Sequence, residues 1–169
     1  MKLAMAIKKV YFTENSLKNI RDVIRRYGDF TEVGGCIVGC QYGEELLVTH
    51  ASDPGKCAKM ERYSIVIDNV HTTKFANSLN EISDKKIYFI GDWHTHLSDD
   101  LRPSSTDFRA LKGLNNYVPK AYKNLIISVI VNHFDSSQIK VYKLSSNSKS
   151  MEEVQCEVVE NPDWLISYI

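Results

Sequence analysis

KIYFIGDWHTHLSDDLRPSSTD occupies residues 86–107, and its character changes twice. Residues 87–90 are apolar and aromatic, as in a buried strand. The strand turns polar at its C-terminal end, where His94 and His96 stand one residue apart. LSDDLRP then reads as a loop closed by Pro103. Ser104 begins a helix running to about Leu114, with Ser105, Thr106 and Asp107 in a first turn suited to a helix N-terminus. A strand feeding a helix through a polar loop is the building unit of a mixed α/β domain.

The neighbouring segments fit the same architecture. KKVYFT (8–13) predicts a first strand. Leu17, Ile20, Val23, Ile24 and Tyr27 recur at helical spacing, with Asn15 or Ser16 as cap and Gly28 as terminator. EVGGCIVGCQ is an apolar strand in which Gly34 and Gly35 imply the close approach of another backbone or a ligand. A hairpin turn at 41–44 leads into ELLVTHAS, followed by a loop marked by Pro54-Gly55. Arg62 to Ile67 predicts a strand, and Asn69 to Ile82 a helix with Val70, Phe75, Leu79 and Ile82 inward. NLIISVIVN is nearly all apolar, hence a central strand covered on both faces, and the alternating QIKVYKL lies nearer an edge. SSNSKS (145–150) reads as a flexible connection, and the tail returns as one more strand with Trp164 docking. The expected fold is α/β: one domain over 1–169, a mixed central sheet flanked by helices. Its core spans about 8–145, with 146–169 as linker and C-terminal tail.

The bulk composition narrows the function. The chain has 169 residues, 43% hydrophobic and 25% charged, enough for a full core. Lys+Arg and Asp+Glu both count 21, so no global field draws the protein to nucleic acid or a membrane surface. LIISVIV is too short to span a bilayer, and Lys8 and Lys9 interrupt the apolar stretch of MKLAMAIKKVYF, unlike a signal peptide. The expected location is the cytoplasm. Cys36, Cys40, Cys57 and Cys156 show no zinc spacing and read as thiols without a structural disulfide.

His94 and His96, i and i+2 at a strand end, emerge on one side of the sheet. Ser104 and Asp107, three apart in a helical first turn, are neighbours on one helix face. Two imidazole nitrogens and a carboxylate oxygen can therefore meet at one point, a three-ligand zinc site with an open fourth position and bonds of roughly 2.0–2.2 Å. Such a cation acidifies water and polarises a carbonyl. Peptide-bond cleavage there also needs a proton carrier. Asp99 and Asp100 lie in the loop, but Glu32, just before VGGCIVG, is the better placed, because the glycines let its strand lie close beside the zinc strand. Ser104 can donate a hydrogen bond to the developing oxyanion. From average residue usage, this His-x-His, Ser and Asp pattern arises by chance on the order of once in several thousand chains of this length. His50, His71 and His133 read as structural or surface residues, and nothing in the spacing of Cys57 demands a role.

H-T-H-x7-S-x2-D, with a glutamate upstream of a glycine-containing apolar strand, resembles the JAMM, or MPN+, metalloprotease family. The resemblance places His94, His96 and Asp107 on its zinc ligands, Ser104 on its oxyanion-side serine and Glu32 on its general acid/base. It implies the JAB/MPN fold, related to the cytidine-deaminase fold, and hydrolysis of the isopeptide or peptide bond at the C-terminus of ubiquitin or a ubiquitin-like protein. The likeness covers about residues 8–145. It is strongest to the short prokaryotic JAB branch, through E-x-G-G-x-x-x-G at 32–39, VTHASDPG and GDWHTH at 91–96. Some relatives there are encoded beside E1- and E2-like proteins, including in CBASS anti-phage operons, where the enzyme removes a cGAS-like nucleotidyltransferase from its conjugates. The implied partner is thus a ubiquitin-like protein or a conjugated target with an extended C-terminal tail. Two positions depart from the pattern: Leu97 where many members have proline, and Asp92 where the branch is expected to carry glutamate. No insertion for gripping a distal ubiquitin is visible. Trimming of a ubiquitin-like or sulfur-carrier precursor uses the same chemistry and stays open, as does a metal-free MPN scaffold that binds without catalysis. A nucleobase deaminase would need H-x-E and P-C-x-x-C, which are absent.

Overall fold

In the computed structural model, which describes residues 6–169, the apolar run at 127–132 is a strand with every residue buried. In chain order the elements are β1 (Lys9–Thr13), α1 (Glu14–Tyr27), β2 (Gly34–Tyr42), β3 (Glu45–Ala51), β4 (Lys59–Met60) and β5 (Ile65–Val66). They continue with α2 (Asn69–Ile82), β6 (Tyr88–His96), α3 (Ser105–Tyr117), β7 (Ile127–Asn132), β8 (Asp135–Leu144) and β9 (Met151–Val159), ending in a 3-10 helix, Asp163–Tyr168. The first five residues of MKLAMAIKKVYF lie outside the described residues.

Helices and a central sheet are present, as expected, but the sheet closes on itself. Its order is β1-β3-β2-β6-β7-β8-β9, and β9 returns parallel to β1, from Lys9 opposite Gln155 to Thr13 opposite Val159. Closure removes the edges that an open sheet would expose. β8 therefore has neighbours on both sides, β7 and β9, and is not the edge strand its alternation predicted. The stretch read as linker and tail supplies the closing strand. SSNSKS is an ordered hairpin turn in which Ser145 N–H donates to the Ser150 carbonyl (2.8 Å) and Asn147 Oδ1 accepts from the Lys149 N–H (3.0 Å).

The inner face of the sheet wraps α1. Ile20, Val23 and Ile24 pack with Val10, Phe12, Leu46, Val48, Trp93, Val129 and Val141 in the main core. Thr13 caps this helix, accepting the Ser16 N–H at 3.1 Å, whereas Asn15 turns its amide to the Thr49 carbonyl (2.9 Å). Gly28 ends it at φ 76. α2 lies on the outer face, where its buried stripe is Thr72, Ala76 and Leu79. Val70 and Ile82, predicted inward, are 68% and 60% exposed because they fall off that stripe. The strand predicted over 62–67 shrinks to β5, paired with β4 in a two-residue ribbon. Leu165 is fully buried against the α2 cluster, and Lys86 covers the Trp164 ring at 3.8 Å, so the C-terminal segment docks as expected. All four cysteines are free, and burial pushes the Cys36 thiol up to about 12. Among the described residues no helix is long and apolar enough to cross a membrane.

Candidate metal centre

β6 carries the two histidines, and a bulge decides which way they face. β6 runs antiparallel to β2 with Gly34 opposite His94, and the register shifts where Val38 lies opposite Phe89 and Ile37 opposite Gly91. The extra residue lets Ile90 and Trp93, three apart, both point into the α1 core. His94 and His96, on the alternate positions, are thereby turned to the other face. Without the bulge, the parity of Ile90 would carry both imidazoles into the core. Gly91 adopts φ 147, a left-handed conformation that glycine permits.

The antiparallel pairing continues past Gly34. Thr95 N–H donates to the Val33 carbonyl (2.8 Å), which brings Glu32, the residue before, close enough to His94, His96 and Asp107 for their charges to act on its carboxyl. The glycine pair is needed here. A Cβ on Gly34 would collide with the Trp93 carbonyl oxygen and stand 3.0 Å from His94 Cβ. Gly34→Ala is expected to push the His94 ring away and weaken the affinity for an added divalent metal ion by about tenfold or more, read by competition with a metal-binding dye.

α3 brings the third donor. Asp107 Oδ1 stands 3.1 Å from His94 Nε2, and Oδ2 stands 3.3 Å from His96 Nε2, with the two Nε2 atoms 3.3 Å apart. Ligand atoms about 2.0–2.1 Å from one zinc stand about 3.3–3.4 Å from each other in a tetrahedron. The two Nε2 atoms have that spacing, each has one oxygen of the Asp107 carboxylate close to it, and the chemistry of the three residues suits zinc. His94, His96 and Asp107 could hold a metal ion, as their spacing in the sequence predicts. His96 Nδ1 donates to the Asp100 carbonyl at 2.8 Å, which orients the ring with Nε2 toward Asp107, the nitrogen that a metal ion would take in place of its proton. The Asp100 carboxylate is held by Arg102 (2.8 Å), outside the donor set.

Ser104 and Asp107 form a reciprocal capping box: Asp107 N–H donates to Ser104 Oγ (3.1 Å), and Ser104 N–H donates to Asp107 Oδ2 (2.8 Å). The cap aims the carboxylate at the histidines and keeps Ser104 on the exposed rim, its hydroxyl hydrogen free to donate. Burial pushes the Asp107 carboxyl up, but hydrogen bonds from both histidines and from the Ser104 N–H outweigh it and hold it well below the usual range. His96 is pulled down by burial, yet Asp107 and the Asp100 carbonyl carry it above its ordinary value.

Glu32 is buried, 6% exposed, and its N–H donates to the Glu61 carbonyl beside the β4–β5 ribbon (2.8 Å). Burial raises its carboxyl above the ordinary glutamate value; His94 and His96 pull it down in part, and Asp107 pushes it up again. Asp92, half-buried on the histidine face, is raised by burial to about 6. Sequence reasoning missed three contributors: the Asp100 carbonyl, the Thr95 hydroxyl, which accepts the Val33 N–H (3.1 Å), and the buried His133, whose Nδ1 lies 2.9 Å from Thr95 Oγ1. A polar residue between the histidines was the one available signal; the rest depends on pairing between distant segments. His50 and His71 sit apart from the donors, bonded to the Tyr168 carbonyl (2.7 Å) and to Asp53 (2.6 Å).

Comparison with known proteins supplies relatives. The chain is 34% identical over 80 residues to a CD-NTase/cGAS isopeptidase of Escherichia coli, covering 47% of this chain and 51% of that protein. It is 28% identical over 98 residues to one from Pseudomonas aeruginosa, covering 58% and 62%, and 33% identical over 76 residues to one from Vibrio cholerae, covering 45% and 49%. The chain therefore matches about half the length of the first of these curated relatives. The likeness to prokaryotic deconjugating peptidases read from the motif has, in these three, curated counterparts. No protein-family model matches. Among solved structures, a Desulfitobacterium hafniense protein studied in solution shares the fold, with a TM-score of 0.65 at 14% identity over 92% of this chain and 96% of that one.

Proposed function

We propose that this protein is a zinc-dependent isopeptidase of the JAMM type on a JAB/MPN fold, and that it releases a cGAS-like nucleotidyltransferase from the proteins to which its C-terminus is conjugated. The single observation that carries the reading is the convergence of His94, His96 and Asp107, with the buried carboxylate of Glu32 near enough for all three to act on it electrostatically. His94, His96 and Asp107 would hold the ion, which supplies Lewis acidity to the scissile carbonyl and to water.

The chain's own groups do the rest. Glu32 accepts the proton of the attacking water at its carboxylate and passes it to the departing lysine amine. A carboxyl raised by burial is suited to both halves of that transfer. Ser104 Oγ donates to the carbonyl oxygen as charge grows there. Water is consumed, the amide C–N bond breaks, and the products are a C-terminal carboxylate and a free amine. The names of the curated relatives support conjugate removal in CBASS defence over precursor trimming. The complete donor set favours an enzyme over a metal-free scaffold.

The test is incubation of the zinc-loaded protein with a cGAS-like nucleotidyltransferase joined through its C-terminus to a lysine of a second protein. The expected result is release of both proteins at that bond, and its loss on chelation and recovery with added zinc. Cleavage of a ubiquitin-like precursor with an intact conjugate would overturn the assignment in favour of trimming.

A further inference from the structure

Glu32 lies one residue from the end of the loop, 28–33, that joins α1 to β2, and its carboxylate can serve only if that loop stays against β6. We propose that Thr95 and His133 are positioning residues that clasp this loop to the strand carrying both histidine donors, an inference that rests on the role given to Glu32 above. Thr95 lies between His94 and His96 but faces the opposite side, and it is fully buried. It holds Val33 twice: its N–H donates to the Val33 carbonyl (2.8 Å), and its Oγ1 accepts the Val33 N–H (3.1 Å). A side chain here replaces a backbone carbonyl at the end of the ladder.

His133 extends the clasp to the start of the loop. It follows β7, the parallel neighbour of β6, and its own N–H donates to the His96 carbonyl (3.0 Å). Its ring reaches Thr95 Oγ1 through Nδ1 (2.9 Å) and the Gly28 carbonyl through Nε2 (2.8 Å), with Asp29 Oδ1 at 3.2 Å from the same nitrogen. One neutral tautomer satisfies the set. Val33 N–H donates to the threonine oxygen, the threonine hydroxyl donates to Nδ1, and Nε2–H donates to the Gly28 carbonyl. Both ends of the segment from 28 to 33 are thus tied to the element that aims the donors. The further tether of the segment, Glu32 N–H to the Glu61 carbonyl, leads only to the short β4–β5 ribbon. Thr95 and His133 are buried, so water cannot replace a lost partner.

Thr95→Val keeps the shape and removes the hydroxyl. In the full-length, zinc-loaded protein it is expected to speed amide exchange at Val33 by about tenfold or more, with exchange across the rest of β6 and β7 unchanged. It is also expected to lower kcat by about 10–100-fold at unchanged KM and zinc content. Thr95→Ser restores both readouts. His133→Phe, a second variant cutting the other end, is expected to reproduce the effect at Val33, and where it does not fold Thr95→Val decides alone. Unchanged exchange at Val33 would overturn the clasp, as would a uniform rise across β2, β6 and β7. If the wild-type protein cleaves no conjugate, the proposed function falls, and the exchange result still decides the clasp.

Discussion

Glu32→Gln is expected to abolish conjugate cleavage, with a loss of about 10²–10⁴-fold in kcat, while zinc stays bound at one equivalent. Gln fills the same volume and keeps an oxygen near the histidines, but it can neither take a proton from water nor hand one to an amine. Glu32 contributes none of the three donor atoms, which come from His94, His96 and Asp107, so metal content should not follow activity downward. The measurement is single-turnover cleavage beside elemental analysis of the same sample. Full activity in this variant would remove Glu32 from the mechanism. Loss of zinc together with activity would show it to be a ligand, not a proton carrier.

Asp107 is expected to give the largest change in metal affinity, and two substitutions separate its two tasks. Asp107→Ala removes a donor and half of the capping box. Zinc affinity should fall by more than about 100-fold, and the metal-free protein should lose about 1 kcal/mol as the start of α3 frays. Asp107→Asn keeps an oxygen able to accept the Ser104 N–H, now 2.8 Å from Oδ2, so the cap survives. It lacks the charge that draws a dication and that holds the two imidazoles, whose Nε2 atoms are 3.3 Å apart. Asp107→Asn should therefore lose zinc with α3 still capped, and the thermal midpoint of the metal-free protein should fall less than in Asp107→Ala. Zinc retention by Asp107→Asn, measured after dialysis against a weak chelator, would contradict the assignment.

The three donors were legible because they belong to local geometry. An i, i+2 pair at a strand end must share a face, and Ser104 with Asp107 in a helical first turn must share another. The capping box needs nothing beyond four consecutive residues. The helix boundaries of α2 were equally local, but its inward face was not. Val70 and Ile82 look like core residues by type, and only the position of the sheet tells that Thr72, Ala76 and Leu79 face it.

Three features were readable along the chain: the element types over most of it, the closely packed glycine strand after Glu32, and the donor set of the candidate centre. These follow from side-chain spacing within one strand or one helix turn. The tertiary structure alone decided that the sheet closes through β1 and β9, since pairing between residues about 145 apart leaves no local trace. It alone decided that the bulge at Gly91 turns the histidines out of the core, and that Thr95 and His133 tie the Glu32 loop to β6. A hydrogen bond between segments far apart in the chain exists only once the backbone has folded, so its partners cannot be read from either segment alone.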